Sequence, residues 1–148
     1  MMFKINILLD DIDDYTKYKF YKIKERNKDF KLEYIILEDL FVYFDINVVD
    51  DELVSKLDCG ELDFNNQSDI RIIFDEYIKN IFLSFGAKRQ KLIIGSLKNL
   101  VQDGDFNFLL LDENKIFYNE INNIEFFIKE TINLLEKYQE EDQKSVTD

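Results

Sequence analysis

Residues 16–36 read TKYKFYKIKERNKDFKLEYII, and whether this stretch pairs as strands or coils as helices decides the fold. Its first half alternates. Tyr18 and Phe20 fall on one face of an extended chain with lysines largely between them, which predicts a half-exposed strand over Thr16–Lys24. Glu25 to Asp29 is a polar break, after which Phe30, Leu32, Tyr34 and Ile36 alternate with Lys31 and Glu33. Two alternating runs around a short polar turn predict a β-hairpin.

The chain outward from this stretch supports the same reading. Phe3–Leu9 is apolar and alternating and ends in Asp10, Asp11, Asp13 and Asp14, so it reads as a first strand. Leu37, Leu40, Phe41 and Phe44 fall at helical spacing, yet Phe41–Phe44 also suits a strand; residues 37–46 satisfy both periods. Asp50, Asp51 and Glu52 suit a helix start, with Gly60 as its stop. Between Ser68 and Phe85 a broad apolar stripe predicts a helix, with Ser68 as N-cap and Gly86 at C′. A second helix is expected over Lys88–Gln102, with Gly104 after its end. Phe106–Leu111 and Lys115–Ile121 bracket Asp112-Glu113-Asn114 as a second hairpin. Asn122 with Glu125 then opens a closing helix. The expected fold is α+β: a single domain over residues 1–138, with a mainly antiparallel sheet of N-terminal strands plus a C-terminal hairpin, packed against three or four helices. Residues 139–148 are expected to be a frayed acidic tail.

The 148 residues are enough for a sizeable core, at 46% hydrophobic with 14 Phe and 8 Tyr. Charge is distributed unevenly. The net charge is −12, but residues 15–34 carry Lys17, Lys19, Lys22, Lys24, Arg26, Lys28 and Lys31 against three acids, and residues 35–76 carry twelve acids against Lys56 and Arg71. A chain this acidic repels phosphates and attracts cationic surfaces, so no direct nucleic-acid partner is expected. The lysine-rich stretch reads as an edge strand protected against edge-to-edge pairing, or as a cationic surface in its own right. One cysteine, Cys59, rules out an internal disulfide framework. No signal-like segment and no apolar run of about 20 residues is present, so a cytoplasmic location and no membrane partner are expected.

Histidine is absent, which removes the commonest general base and zinc ligand. Metal chemistry would have to rest on carboxylates. Asp103, Asp105 and Asn107 imitate the opening of a calcium loop, but its sixth position is Phe108 and its twelfth Asn114. Asp105 with Glu113-Asn114-Lys115 imitates the acid–acid-x-lysine arrangement of metal-dependent nucleases, in which two carboxylates hold the ion and lysine supports a water. Gly86-Ala87-Lys88-Arg89 lacks the spacing of a phosphate-binding loop.

The remaining feature is the acidic stretch itself. Asp39, Asp45, Asp50, Asp51, Glu52, Asp58, Glu61 and Asp63 are interleaved with Tyr43 and other aromatics. Acids rimming aromatic anchors suit a basic protein partner, whereas acids solvating an ordinary core are the competing reading. The function expected is a small acidic, cofactor-free binding protein that neutralises a cationic partner, as bacterial immunity proteins do for toxins such as nucleases. A phage-type inhibitor of a nucleic-acid-binding defence protein is one alternative; a carboxylate-metal hydrolase using Asp105, Glu113 and Lys115 is another. No oligomeric state is implied.

Overall fold

The computed structural model describes residue 7, residues 9–118 and residues 120–147. The stretch expected to be a hairpin forms two helices, α1 (Asp14–Arg26) and α2 (Leu32–Phe41). The reason lies in the spacing of Thr16, Phe20, Ile23 and Asn27, which satisfies a period of 3.6 as well as the lysine–aromatic alternation satisfies a period of 2. Local signals then favour the helix. Extended Asp13 precedes the first turn and its carbonyl accepts from Lys17 N. The Thr16 hydroxyl donates to Asp13 Oδ1 at 2.5 Å, which holds that carboxyl below its usual range. Asp14 in the first turn and Lys24 and Arg26 in the last complement the helix dipole. Past the end, Lys24 Nζ donates to the carbonyls of Lys28 and Phe30.

Residues 37–46 resolve as the end of α2 followed by a 3-10 turn, Val42–Phe44. Next comes α3 (Asp51–Asp58), capped by the Asp50 side chain and ended by Gly60 at φ 79°. The long apolar stripe forms α4, residues 67–84, in three parts: Gln67–Ile73, a π-helical turn Phe74–Ile78, and Lys79–Ser84. Its cap is Asn66, whose side chain accepts from Asp69 N, rather than Ser68. Gly86 is extended at the start of α5 (Ala87–Gln102) and does not supply a left-handed C′ for α4, whereas Gly104 has the expected positive φ of 71°. A 3-10 turn, Phe108–Leu111, precedes the last helix, α6 (Ile124–Thr147). Asn123, rather than Asn122, bonds the N–H of Phe126 there.

The α+β expectation is therefore overturned: the chain is about 70% helical and all-α, and among the described residues there is no sheet. The expected first strand lies mostly outside the described residues, and Leu9 opens a 3-10 turn, Leu9–Asp11. The second hairpin does not form. Residues 106–118 cross the bundle irregularly and touch residues 44–46 through one isolated bridge, Asp45 with Lys115. Ile46 N reaches Asn114 O at 2.8 Å and Ile116 N reaches Phe44 O at 2.9 Å. Pairing goes no further because residues 42–44 on the other side are already coiled.

Helices α2, α5 and α6 pack successively, and one core cluster takes side chains from α2 to α6 and from the crossing segment. At its centre Phe41, Phe44, Phe64, Phe74, Phe117 and Phe127 stack edge-on and tilted, with ring centroids 5.3 to 6.4 Å apart. Those geometries are the favourable ones for aromatic pairs.

Candidate functional site

The acidic stretch folds around a cleft between the start of α3 and the π-helical turn of α4. Asp45 begins it: its backbone carbonyl accepts from Val48 N and Val49 N, and its Oδ1 accepts from Asn47 N, all at 2.8 Å. This tight loop turns Ile46 and Val48 outward, 58% and 48% exposed, while Val49 packs on the core. Asp50 Oδ1 then takes Glu52 N at 2.8 Å and starts α3. Across the gap, the π turn sends Phe74 and Ile78 into the core and leaves Glu76 and Tyr77 on the cleft.

The cleft is about 260 Å³. Tyr43 and Tyr77 line it as aromatic surface, Asp50 and Glu76 as carboxylates, and Val49, Leu53 and Ile78 as apolar surface. Lys56 stands beside it, 3.1 Å from Glu52 and 3.6 Å from Glu76, and the Glu52 carboxylate raises its pKa. The Tyr77 hydroxyl is shielded from water, and the Lys56 ammonium lies over its ring, 5.9 Å from the centroid. Burial raises its pKa against the opposing pull of Lys56.

Of the expected contact residues, Tyr43, Asp45, Asp50, Asp51 and Glu52 gather at this end of α3. The others lie elsewhere. Asp39, on α2, pairs with Arg89 Nε at 3.5 Å in a separate depression with Asp13 and Lys88; burial raises its pKa while Arg89 lowers it. Asp58 is the last residue of α3, about 10 Å along the helix axis from Asp51, and Glu61 and Asp63 follow it. There Asp58 and Asp63 add to the effect of burial in raising the pKa of Glu120.

Two residues of the nuclease-like spacing, Asp105 and Lys115, are engaged in structural contacts. Asp105 accepts from Tyr34 Oη and, at 3.2 Å, from Lys31 Nζ. Lys115, its side chain 3% exposed, has its ammonium 3.2 Å from Glu38 and 3.0 Å from Asp112. Burial depresses the Lys115 pKa, but the two carboxylates outweigh it and the net shift is upward. Glu113 is exposed in the turn between them. Among the described residues, no group of three or more His, Cys, Asp or Glu could hold a metal ion. Cys59 is exposed and its thiol donates to Lys56 O at 3.6 Å.

Glu76 and Tyr77 escaped the sequence reading because Tyr77 sits in the apolar stripe of α4 and passes for core. Ile46 and Val48, apolar residues inside an acidic loop, were the legible signal. The outward face of α1 is a further feature the strand reading obscured: Tyr15, Tyr18 and Tyr21 are 70%, 61% and 49% exposed, with Lys19 and Lys22 ammoniums 5.5 Å from the Tyr15 and Tyr18 rings.

Among the described residues, no helix is long and apolar enough to cross a membrane. Comparison of the chain with family models, curated proteins and solved structures finds no match.

Proposed function

We propose that this is a small acidic binding protein that neutralises a cationic protein partner in the cytoplasm, as an immunity protein neutralises a bacterial toxin such as a nuclease. One observation carries the reading. Asp50 and Glu76 line a cleft with aromatic and apolar surface, and Asp45, Asp51 and Glu52 lie in the same loop and first turn of α3, beside the outward-facing Ile46 and Val48. Acids of one sign speed encounter with a basic surface, and the apolar and aromatic groups within them supply residence time. The same field repels phosphates, so the nucleic-acid-handling protein is bound and its substrate is not.

The test is co-expression with a toxin encoded beside this gene, followed by stopped-flow association of the purified pair. Protection of the cells, with an association rate falling about tenfold or more from low to high salt, is the expected result. The variant Asp51→Asn/Glu52→Gln/Glu76→Gln should associate more slowly and protect less. Full protection by that variant, at a rate indifferent to salt, would refute the reading.

A further inference from the structure

We propose that the cleft between α1, α2 and the crossing segment binds a small uncharged molecule, flat and apolar, with one oxygen that accepts a hydrogen bond from Lys115. The cleft is about 400 Å³, within the roughly 300–1,000 Å³ of small-molecule sites. Its wall is mainly apolar and aromatic, with Ile23 from α1, Phe30 from the loop, Tyr34 and Phe41 from α2, and Phe108 and Leu111 from the crossing segment. Phe108 stacks on Tyr34, their planes 14° and their centroids 5.9 Å apart, and Phe30 meets Tyr34 edge-on. That ring surface suits a flat ligand. Leu111 and Ile23, 78% and 37% exposed, make the lip of the cleft apolar too.

The polar lining decides the chemistry of the ligand. Lys115 borders the cleft with its side chain 3% exposed, and its raised pKa keeps it an ammonium with three N–H donors. Two of them reach Glu38 Oε1 and Asp112 Oδ2, at 3.2 and 3.0 Å. The third has no acceptor among the described residues, and a shielded donor left without one is costly. A ligand oxygen completes the set without displacing either carboxylate. Charge fixes the type of oxygen. Around the cleft Lys19 and Lys115 stand against Glu38 and Asp112, two of each sign, so no net charge draws an ion in. A carboxylate at the ammonium would face Glu38 and Asp112, a cation would face Lys115, and either would lose hydration against an apolar wall. A ketone, an amide carbonyl or a hydroxyl meets none of these costs. The site is separate from the acidic face and does not depend on what that face binds.

The experiment is an NMR titration of the full chain, ¹⁵N-labelled, with acetophenone, α-methylstyrene, benzoate and benzamidine, four molecules of nearly one shape. The alkene carries a CH₂ group where the ketone carries oxygen, and the other two carry a negative and a positive charge. Acetophenone should give saturable shifts at Ile23, Tyr34, Leu111 and Lys115, α-methylstyrene should bind about three- to tenfold more weakly, and the two ions more weakly still. In Lys115→Met, which keeps most of the side-chain volume, the advantage of the ketone over the alkene should vanish. Ile23→Ala, at the lip, should weaken both uncharged probes alike and keep their ratio. Equal binding of ketone and alkene by the unaltered chain would overturn the inference and leave a groove for any apolar group, a partner's side chain included. Tighter binding of benzoate or benzamidine, shifts scattered over the surface, no saturable shift, or a ketone advantage that survives Lys115→Met would overturn it as well. The ratio in the unaltered chain and in Ile23→Ala decides the matter should Lys115→Met fail to fold.

Discussion

The Lys115 ammonium fixes the crossing segment to α2 through Glu38 while also holding Asp112 in its own turn. Both carboxylates keep access to water, with side chains 51% and 42% exposed, so neither is stranded when the cation goes. The buried stem is the larger loss. Lys115→Ala should cost about 1–3 kcal/mol in urea unfolding, and Lys115→Met, which refills most of the volume, less than half of that. Equal losses would mean that the charge, not the stem, holds the segment. A second consequence concerns the phenols. Burial raises the pKa of Tyr34, with the Asp105 carboxylate adding to it, and burial raises that of Tyr138, whose hydroxyl bonds Asp75 Oδ1 at 2.5 Å. An unfolded tyrosine ionises near pH 10 while these stay neutral, so the native state holds more protons and stability falls as pH rises past about 10. Raised pKa values at Lys31 and Lys115 act in the same direction, since their contribution is lost as they deprotonate. Tyrosinate absorbance and far-ultraviolet circular dichroism, followed together from pH 9 to 12, should show late-titrating tyrosines that appear only as helix is lost. Tyr34→Phe should flatten the fall, and an unchanged slope would exclude Tyr34 as a contributor.

Helix α1 offers a sharper contrast because two periods compete within it. As a strand it would place Tyr18 and Phe20 on one face; as a helix it buries Phe20 and leaves Tyr18 in solvent. Phe20→Ala should therefore cost about 2–4 kcal/mol and Tyr18→Ala no more than about 0.5, read from denaturant midpoints. Similar losses at both positions would restore the strand. The same competition explains what could be read in advance. The helical stripes from Ile70 to Phe82 and from Leu92 to Val101 are long, and no alternating pattern fits them. The runs 16–24, 106–111 and 115–121 are short enough for either period, and what settles them is distant: Phe20 meets Phe30, its ring centroid 6.0 Å away, and Phe117 fills the space among Phe41, Phe44 and Phe64. Sequence spacing carries none of those neighbours. The candidate site divides in the same way. Tyr43 to Glu52 were legible as a local cluster of acids and an aromatic, whereas Glu76 and Tyr77 depend on a π turn that shifts the register of α4 without any mark in its apolar spacing.

At the scale of the whole molecule, 31 acids against 19 bases and no histidine determine how the protein meets solvent. Without imidazoles few side chains titrate near neutrality, so the melting temperature should be nearly constant between pH 6 and 8. Below that range Asp13 and Asp112, whose pKa values are lowered by the Thr16 hydroxyl and by the Asn114 backbone N–H respectively, lose their contribution as they protonate. Asp39 and Glu120, with pKa values raised chiefly by burial, work in the opposite sense. Salt separates the two consequences of the net charge. With a charge of −12, like-charge repulsion opposes the compact state, and the ion pairs are mostly exposed pairs worth about 0–1 kcal/mol each. Raising sodium chloride from 0.02 to 0.5 M shrinks the Debye length from more than about 20 Å to less than about 5 Å, which screens long-range repulsion more than short contacts. The melting temperature should therefore rise with salt, by a few degrees, while association with a cationic partner slows. Calorimetry and stopped-flow mixing on the same samples check both. A melting temperature that falls with salt would place the balance in the ion pairs rather than in the net charge, and the acidic face would then be largely neutralised by its own lysines before any partner arrives.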